Sequence, residues 1–295
     1  MVKGQIHIVV SMDCERIRSE SYRHDGTESW EMSERAIIGL AELLHEEGMK
    51  GSFLPTPATA AKHATLFGDL RSERFELGMQ FHCDSFRDGE YTQVLGSYGY
   101  DKQKEILSLA KADWEDALGI ALHTYRSGYL SANDYTFPIL EELGIRQTSC
   151  SKAGRYRPSI AARWYGAPPY AHRPSASNRL LPGNLDIVEV PVASHPAERF
   201  SPEPSWDPTD PRPDRGLDIA VYKELVDACL REMEMIGPKV KTFVILTHNT
   251  LDYGSSEEPR RAIMVEMLRY IKSREEEGWE IVPATFSDVR RAYYA

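Results

Sequence analysis

The 295-residue chain is 41% hydrophobic and 27% charged, the balance of an ordinary globular protein able to bury a substantial core. Its formal net charge of -10 argues against nucleic acid as a partner, because phosphate binding needs clustered Lys and Arg. No stretch approaches the roughly 20 apolar residues of a membrane span, and the opening run is too short for a signal peptide's apolar core and cleavage site.

Four cysteines, Cys14, Cys83, Cys150 and Cys229, form no C-x-x-C pair, so a reduced, cytoplasmic protein is expected. In chain order, short β-branched or apolar runs alternate with longer amphipathic ones. Strands are predicted at Gln5–Ser11, Gly51–Leu54, Glu76–Phe81, Arg146–Cys150, Ile187–Pro191, Thr242–Thr247 and Glu280–Val282. The clearest helix is Ser33–Glu47, where Ile37, Ile38, Leu40, Leu43 and Leu44 share a stripe, Ser33 can cap, and Gly48 follows. Further helices are predicted at Lys102–Leu118, Asn133–Leu143, Leu217–Met235, Pro259–Arg274 and Ser287–Tyr293. Six or seven such alternations predict an α/β fold: one parallel sheet, closed or nearly closed, with helices outside. The chain is read as a single domain over 1–295, interrupted by a Pro- and aromatic-rich excursion at about 155–215. That excursion is either an irregular surface loop or a substrate wall built from Trp164, Tyr165, Tyr170 and Trp206.

The predicted strands end in reactive side chains. IHIVVSM ends at Asp13-Cys14-Glu15, ELGMQF at His82-Cys83-Asp84, IALHTY at Arg126, and TFVILT at His248-Asn249. In a parallel barrel these ends converge on one rim, where barrel enzymes place their sites. Asp13 with Glu15, and His82 with Asp84, each lie two residues apart and can reach one pocket. Together they make a mixed nitrogen and oxygen site for a divalent ion, with zinc the first choice. His248 suits proton transfer near neutrality, and Arg126 can hold a carboxylate bidentately. His7, His24, His45, His63, His123, His172 and His195 lack companions at ligand spacing and read as structural. Cys14 and Cys83 have no evident base beside them. The sequence has no G-x-G-x-x-G, P-loop or G-x-S-x-G, so neither nucleotide binding nor a serine-esterase elbow has support.

These motifs resemble the polysaccharide deacetylase superfamily (carbohydrate esterase family 4 and its relatives) along nearly the whole chain. IVVSMDCE stands where the family has two carboxylates at a strand end, TYRSGYLSAND resembles its Arg motif, and Leu246-Thr247-His248 its Leu-x-His motif. The resemblance implies a distorted (β/α)7-8 barrel like a TIM barrel, and a divalent metal, usually zinc, that activates water to remove an acetyl group. It implies Asp13 as base, Glu15 as ligand and His248 as general acid. ELGMQFHCD departs from the family's H-[ST]-x-x-H: the two family histidines would fall on Gln80 and Asp84, with His82 between. Either the site is rearranged around His82 and Asp84 or the metal is lost.

The expected enzyme is thus a metal-dependent hydrolase of carbon–nitrogen bonds that deacetylates an amino sugar or glycan. Catalysis would fall to Asp13, His248 and Arg126, metal binding to Glu15, His82 and Asp84, and substrate binding to Gln80, Tyr129, Trp164 and Trp206. The alternatives are a hydrolase of a small amide or ureide, and a non-catalytic carbohydrate-binding barrel. The partner is a small molecule or oligosaccharide, neither nucleic acid nor membrane, and homo-oligomerisation is left open.

Overall fold

A computed structural model describes residues 3–21 and 26–295, apart from the side chain of Asp88. Its strands are β1 (Gly4–Cys14), β2 (Gly51–Pro55), β3 (Glu76–Leu77), β4 (Met79–Phe81), β5 (Thr124–Ser127) and β6 (Gln147–Thr148), followed by β7 (Tyr156–Arg157), β8 (Ala162–Arg163), β9 (Val188–Glu189), β10 (Thr242–His248) and β11 (Trp279–Pro283). The helices are α1 (Trp30–Glu46), α2 (Pro57–Lys62), α3 (Ala64–Ser72), α4 (Tyr100–Leu118), α5 (Thr136–Glu142), α6 (Ile219–Ile236), α7 (Pro259–Ser273) and α8 (Phe286–Tyr294). No helix among the described residues is long and apolar enough to cross a membrane.

β1 organises the sheet because it is buried along nearly its whole length and pairs on both edges. Ile6, Ile8, Val10, Met12 and Cys14 pack outward against α1, α6 and α7, while Val9 joins a second cluster within the barrel. One edge of β1 pairs with β10, in register from His7 opposite Thr242 to Asp13 opposite His248. The other edge pairs first with β11 and then, from Val10 onward, with β2. β2 continues to β3, and β4 leads through β5 and β6 to β9, every pair parallel. Beyond β9, Val192 donates to the Ser151 carbonyl at 2.9 Å and Ala193 to that of Val244 on β10 at 3.3 Å. That last bond closes the ring. The fold is therefore a distorted (β/α) barrel, with β11 wedged beside β1 at the N-terminal end.

Several predicted boundaries move, each for a local reason. The run Glu76–Phe81 is broken at Gly78, where a Cβ would lie 2.8 Å from the Thr124 carbonyl; only glycine lets the chain cross from β2 to β5. α1 begins at Trp30, capped by Ser29 through the Met32 N–H at 3.2 Å. Ser33 is not the cap; it is buried and its hydroxyl accepts from Asn249 Nδ2 at 2.8 Å. α2 and α3 escaped the periodicity reading, being only six and nine residues long.

The barrel interior is layered. At its N-terminal end the Glu76 carboxylate accepts from Ser52, Thr124 and the first N–H groups of α8. Above it lie Val9, Leu54, Val188, Val190, Val244 and Phe286. Next come Ser11, Arg126 and Ser149, and then Asp13 with the residues of the rim. From the apolar layer upward, polarity rises toward the C-terminal ends of the strands, where an active site is expected.

Candidate active site

Asp13, Glu15, Gln80, His82, Tyr129 and His248 line one cavity of about 240 Å³ at that end. Strand alternation puts Asp13 on the inner face with Ser11, and Glu15 one step beyond the end of β1. Register places His248 directly opposite Asp13 on the adjacent strand.

Asp13 is held from beneath. Arg126, fully buried on β5, donates from Nη1 to Asp13 Oδ1 at 2.7 Å. Its Nη2 reaches the Ser11 and Ser149 hydroxyls, both at 3.0 Å, and Nε the Ser149 carbonyl at 3.2 Å. The contact is one charge-assisted bond, not the expected bidentate fork, because Ser11 and Ser149 take the other donors. Arg126 does not itself line the cavity; it is a positioning residue.

Glu15 is fixed through its backbone and its side chain. Asn249 accepts from the Glu15 N–H at 2.8 Å and donates to its carbonyl at 2.9 Å. Glu15 Oε1 lies 3.0 Å from both Gln80 Nε2 and His82 Nε2. The His82 ring stands edge-on to Tyr129, with centroids 4.2 Å apart. Tyr129 and Leu130 both adopt left-handed backbone, φ 57°, which non-glycine residues rarely accept without a functional or packing reason.

Asp84 sits elsewhere. Its Oδ1 is 3.9 Å from His82 Nδ1, so Glu15 and Asp84 flank opposite edges of the imidazole. An ion within the roughly 2.0–2.2 Å of Nε2 that zinc requires would face Glu15 and not Asp84. The expected ligand set Glu15, His82 and Asp84 thus does not converge on one point. Gln80 contributes an amide whose nitrogen is turned to Glu15. Among the described residues no three His, Cys, Asp or Glu side chains gather to hold a metal ion. Among the described residues, the side chains at this point do not fit a three-ligand zinc centre.

The second proton-transfer group has its own carboxylate. His248 Nδ1 is hydrogen-bonded to Asp214 Oδ2, and Thr247 donates to the other oxygen of Asp214. Burial pulls the His248 pKa down, but the Asp214 charge and hydrogen bond outweigh it and hold the pKa above the usual 6.5. Asp214 lies in the Pro-rich excursion 34 residues before its partner, and no spacing rule points to it. Arg155 and Arg212, also missed, line the same cavity. The one available signal was strand-end polarity, which covered Asn249 but not residues delivered by a loop.

Other expected residues fall outside. Trp164 is fully buried and donates to the Leu130 carbonyl at 2.8 Å; it is core, not substrate wall. Trp206 is tied to the Glu198 carbonyl at 2.6 Å and to the Tyr156 backbone, and like Tyr165 and Tyr170 it does not line the cavity. His7, His45, His63, His123, His172 and His195 also lie away from the cavity wall. His24 lies outside the described residues. Burial pushes the Cys14 thiol well up and that of Cys83 up to about 12, so neither is a thiolate nucleophile at neutral pH.

Gly128 sets the position of His82. A Cβ there would lie 2.6 Å from His82 Nδ1 and 2.7 Å from the Phe81 carbonyl. Gly128→Ala is expected to displace the imidazole from its present position beside Glu15 and to cost about 1–3 kcal/mol through overpacking. Thermal melts, with the His82 ring resonances read by NMR, check this; an unmoved ring would show that the contact is slack.

No family model matches the sequence, and no curated protein matches it. Solved structures do. A protein of Mycobacterium smegmatis described as a polysaccharide deacetylase superposes with a TM-score of 0.61 at 18% identity, over 97% of this chain and 90% of that one. An allantoinase, Puue, gives 0.61 at 12% identity, over 99% and 91%. A protein of Parabacteroides distasonis described as a glycoside hydrolase/deacetylase gives 0.67 at 10% identity, over 99% and 72%. At these identities the likeness is one of fold. The chain has the distorted (β/α) barrel of the polysaccharide deacetylases, a barrel that the allantoinase shares.

Proposed function

We propose that the chain is a hydrolase that cleaves a carbon–nitrogen bond of a small non-peptide amide or ureide by acid–base catalysis. The observation that carries this is the facing pair Asp13 and His248, in register on adjacent strands, each fixed by a partner of opposite charge. The barrels it resembles include proteins described as deacetylases and an allantoinase, which supports the hydrolase class.

Asp13 takes a proton from water as the water oxygen bonds to the substrate's carbonyl carbon. His248, whose protonated form Asp214 favours, gives its proton to the nitrogen as the carbon–nitrogen bond breaks. Solvent then returns the proton from Asp13 to His248. No step is routed through a metal, because the donor set among the described residues does not fit one.

The cavity's 240 Å³ is below the roughly 300–1,000 Å³ of pockets for drug-sized ligands, which favours a small substrate. Deacetylation of an amino sugar is the second reading. It is favoured by a further cavity of about 320 Å³ that shares the Glu15–His82 wall and has room for an adjoining group.

The test is hydrolysis of a panel of small amides, ureides and N-acetyl sugars by protein dialysed against a chelator, with elemental analysis alongside and Asp13→Asn as the blank. Turnover by chelator-treated protein is expected. Turnover that vanishes on chelation and returns with zinc overturns the metal-free mechanism. No release from any substrate above the blank overturns the hydrolase reading.

A further inference from the structure

The excursion carries a cluster of charge behind the reactive cavity. Lys152, with no exposed side-chain area, pairs with both Asp207 and Asp210. Arg215 pairs with the same two carboxylates, and Arg212 donates from Nη2 to Asp210 at 3.0 Å. Arg155 comes last in this arrangement. Its side chain is only 9% exposed, and among the described residues its buried Nε has no hydrogen-bond partner and its one ion-pair contact is Asp207 Oδ1 at 3.8 Å. The remaining carboxylate of the cluster, Asp214, is engaged by His248 and Thr247. Two aspartates are thus shared among four cations, and the cation left without a hydrogen-bonded anion is one that lines the cavity.

A guanidinium buried without a hydrogen-bonded anion is unfavourable unless something supplies the missing acceptors. Its planar fork matches a carboxylate better than a lone carbonyl. Arg212 beside it on the cavity wall adds positive charge, and no carboxylate other than Asp207 lies within ion-pair reach of Arg155 among the described residues.

We infer that Arg155 binds a carboxylate of the substrate, so that the compound hydrolysed is a small N-acyl or N-carbamoyl amino acid or a similar acid with its carboxylate near the scissile bond. This rests on the hydrolytic reading of the cavity and goes beyond it by naming the substrate class.

The experiment uses two probes that differ only in charge, N-acetylglycine and N-acetylglycinamide. Binding is measured by calorimetry in the His248→Ala background, so that turnover does not obscure it. The acid is expected to bind at least about tenfold more tightly than the neutral amide. Arg155→Met is expected to remove that preference without weakening the amide, and Arg155→Lys to keep part of it. Should Arg155→Met not fold, Arg155→Lys decides alone: an undiminished preference there counts against the inference. Equal binding of both probes, no binding of the acid, or a preference that survives Arg155→Met overturns it. Acid-selective binding with no turnover by the wild-type protein of either probe or of any compound in the panel above removes the hydrolytic reading but upholds the carboxylate site. Turnover of neutral amides with no preference for acids does the reverse.

Discussion

Replacing His248 with alanine is expected to lower turnover by about 10²- to 10⁴-fold while leaving a folded protein, the range that a positioned general acid supplies. The role comes from its environment. His248 is pulled toward the neutral form by burial and more strongly toward the charged form by Asp214, so it is still protonated where an ordinary histidine has begun to lose its proton. Asp214→Asn removes the second influence and leaves the first. The alkaline limb of the kcat–pH profile is therefore expected to move to lower pH, with a smaller loss of rate at acid pH than at pH 8. The linkage has a fixed sign. A folded-state pKa above the unfolded value of about 6.5 contributes stability that is complete below that pH and lost as pH rises through the raised value. The melting temperature of Asp214→Asn should accordingly approach that of the wild type as pH rises through this window. Profiles that coincide for the two proteins would assign the alkaline limb to another group and leave His248 without its role.

The apolar core of β1 and the polar ends of β1, β4, β5 and β10 were legible in the sequence because both follow from strand periodicity. A run such as IHIVVSMDCE states which residues enter the core and where the chain meets water. That period cannot say which strand lies beside which. The register pairing Asp13 with His248 joins residues 235 positions apart, and only closure of the barrel creates it. The same limit hid Asp214, Arg155 and Arg212, which reach the site from an excursion with little regular structure. Aromatic composition misled for a related reason. Trp164 looked like a groove wall because it sits among prolines and tyrosines, yet that segment folds inward and buries the indole with its N–H satisfied by Leu130. The ligand expectation at Asp84 assumed that residues two apart in an extended strand point to one side. The chain leaves β4 after Phe81 and turns into a short 3₁₀ segment from Cys83, which carries Asp84 to the far edge of the His82 ring.

Arg126→Leu is expected to destabilise the protein by about 3–5 kcal/mol, the usual result of removing one partner from a buried ion pair. Leucine would refill part of the space, but Asp13, 4% exposed, would lose the cation paired with it, and Ser11 and Ser149 would lose their donor. Asp13→Asn alone is also expected to be costly, because it leaves the fully buried Arg126 charge uncompensated. The double variant Asp13→Asn/Arg126→Leu should therefore be more stable than the sum of the two single losses allows. Urea unfolding of the four proteins measures this directly. Additivity within about 0.5 kcal/mol would mean that the two residues are not coupled and that Arg126 acts through packing alone. Coupling would tie the catalytic base to the stability of the barrel, since the interaction that immobilises Asp13 also satisfies the buried Arg126 in the interior layer between Val9 and the rim. Arg126→Lys separates the two effects: it keeps the charge but cannot reach Asp13, Ser11 and Ser149 together, so kcat should fall by more than the change in stability would suggest, with KM nearly unchanged.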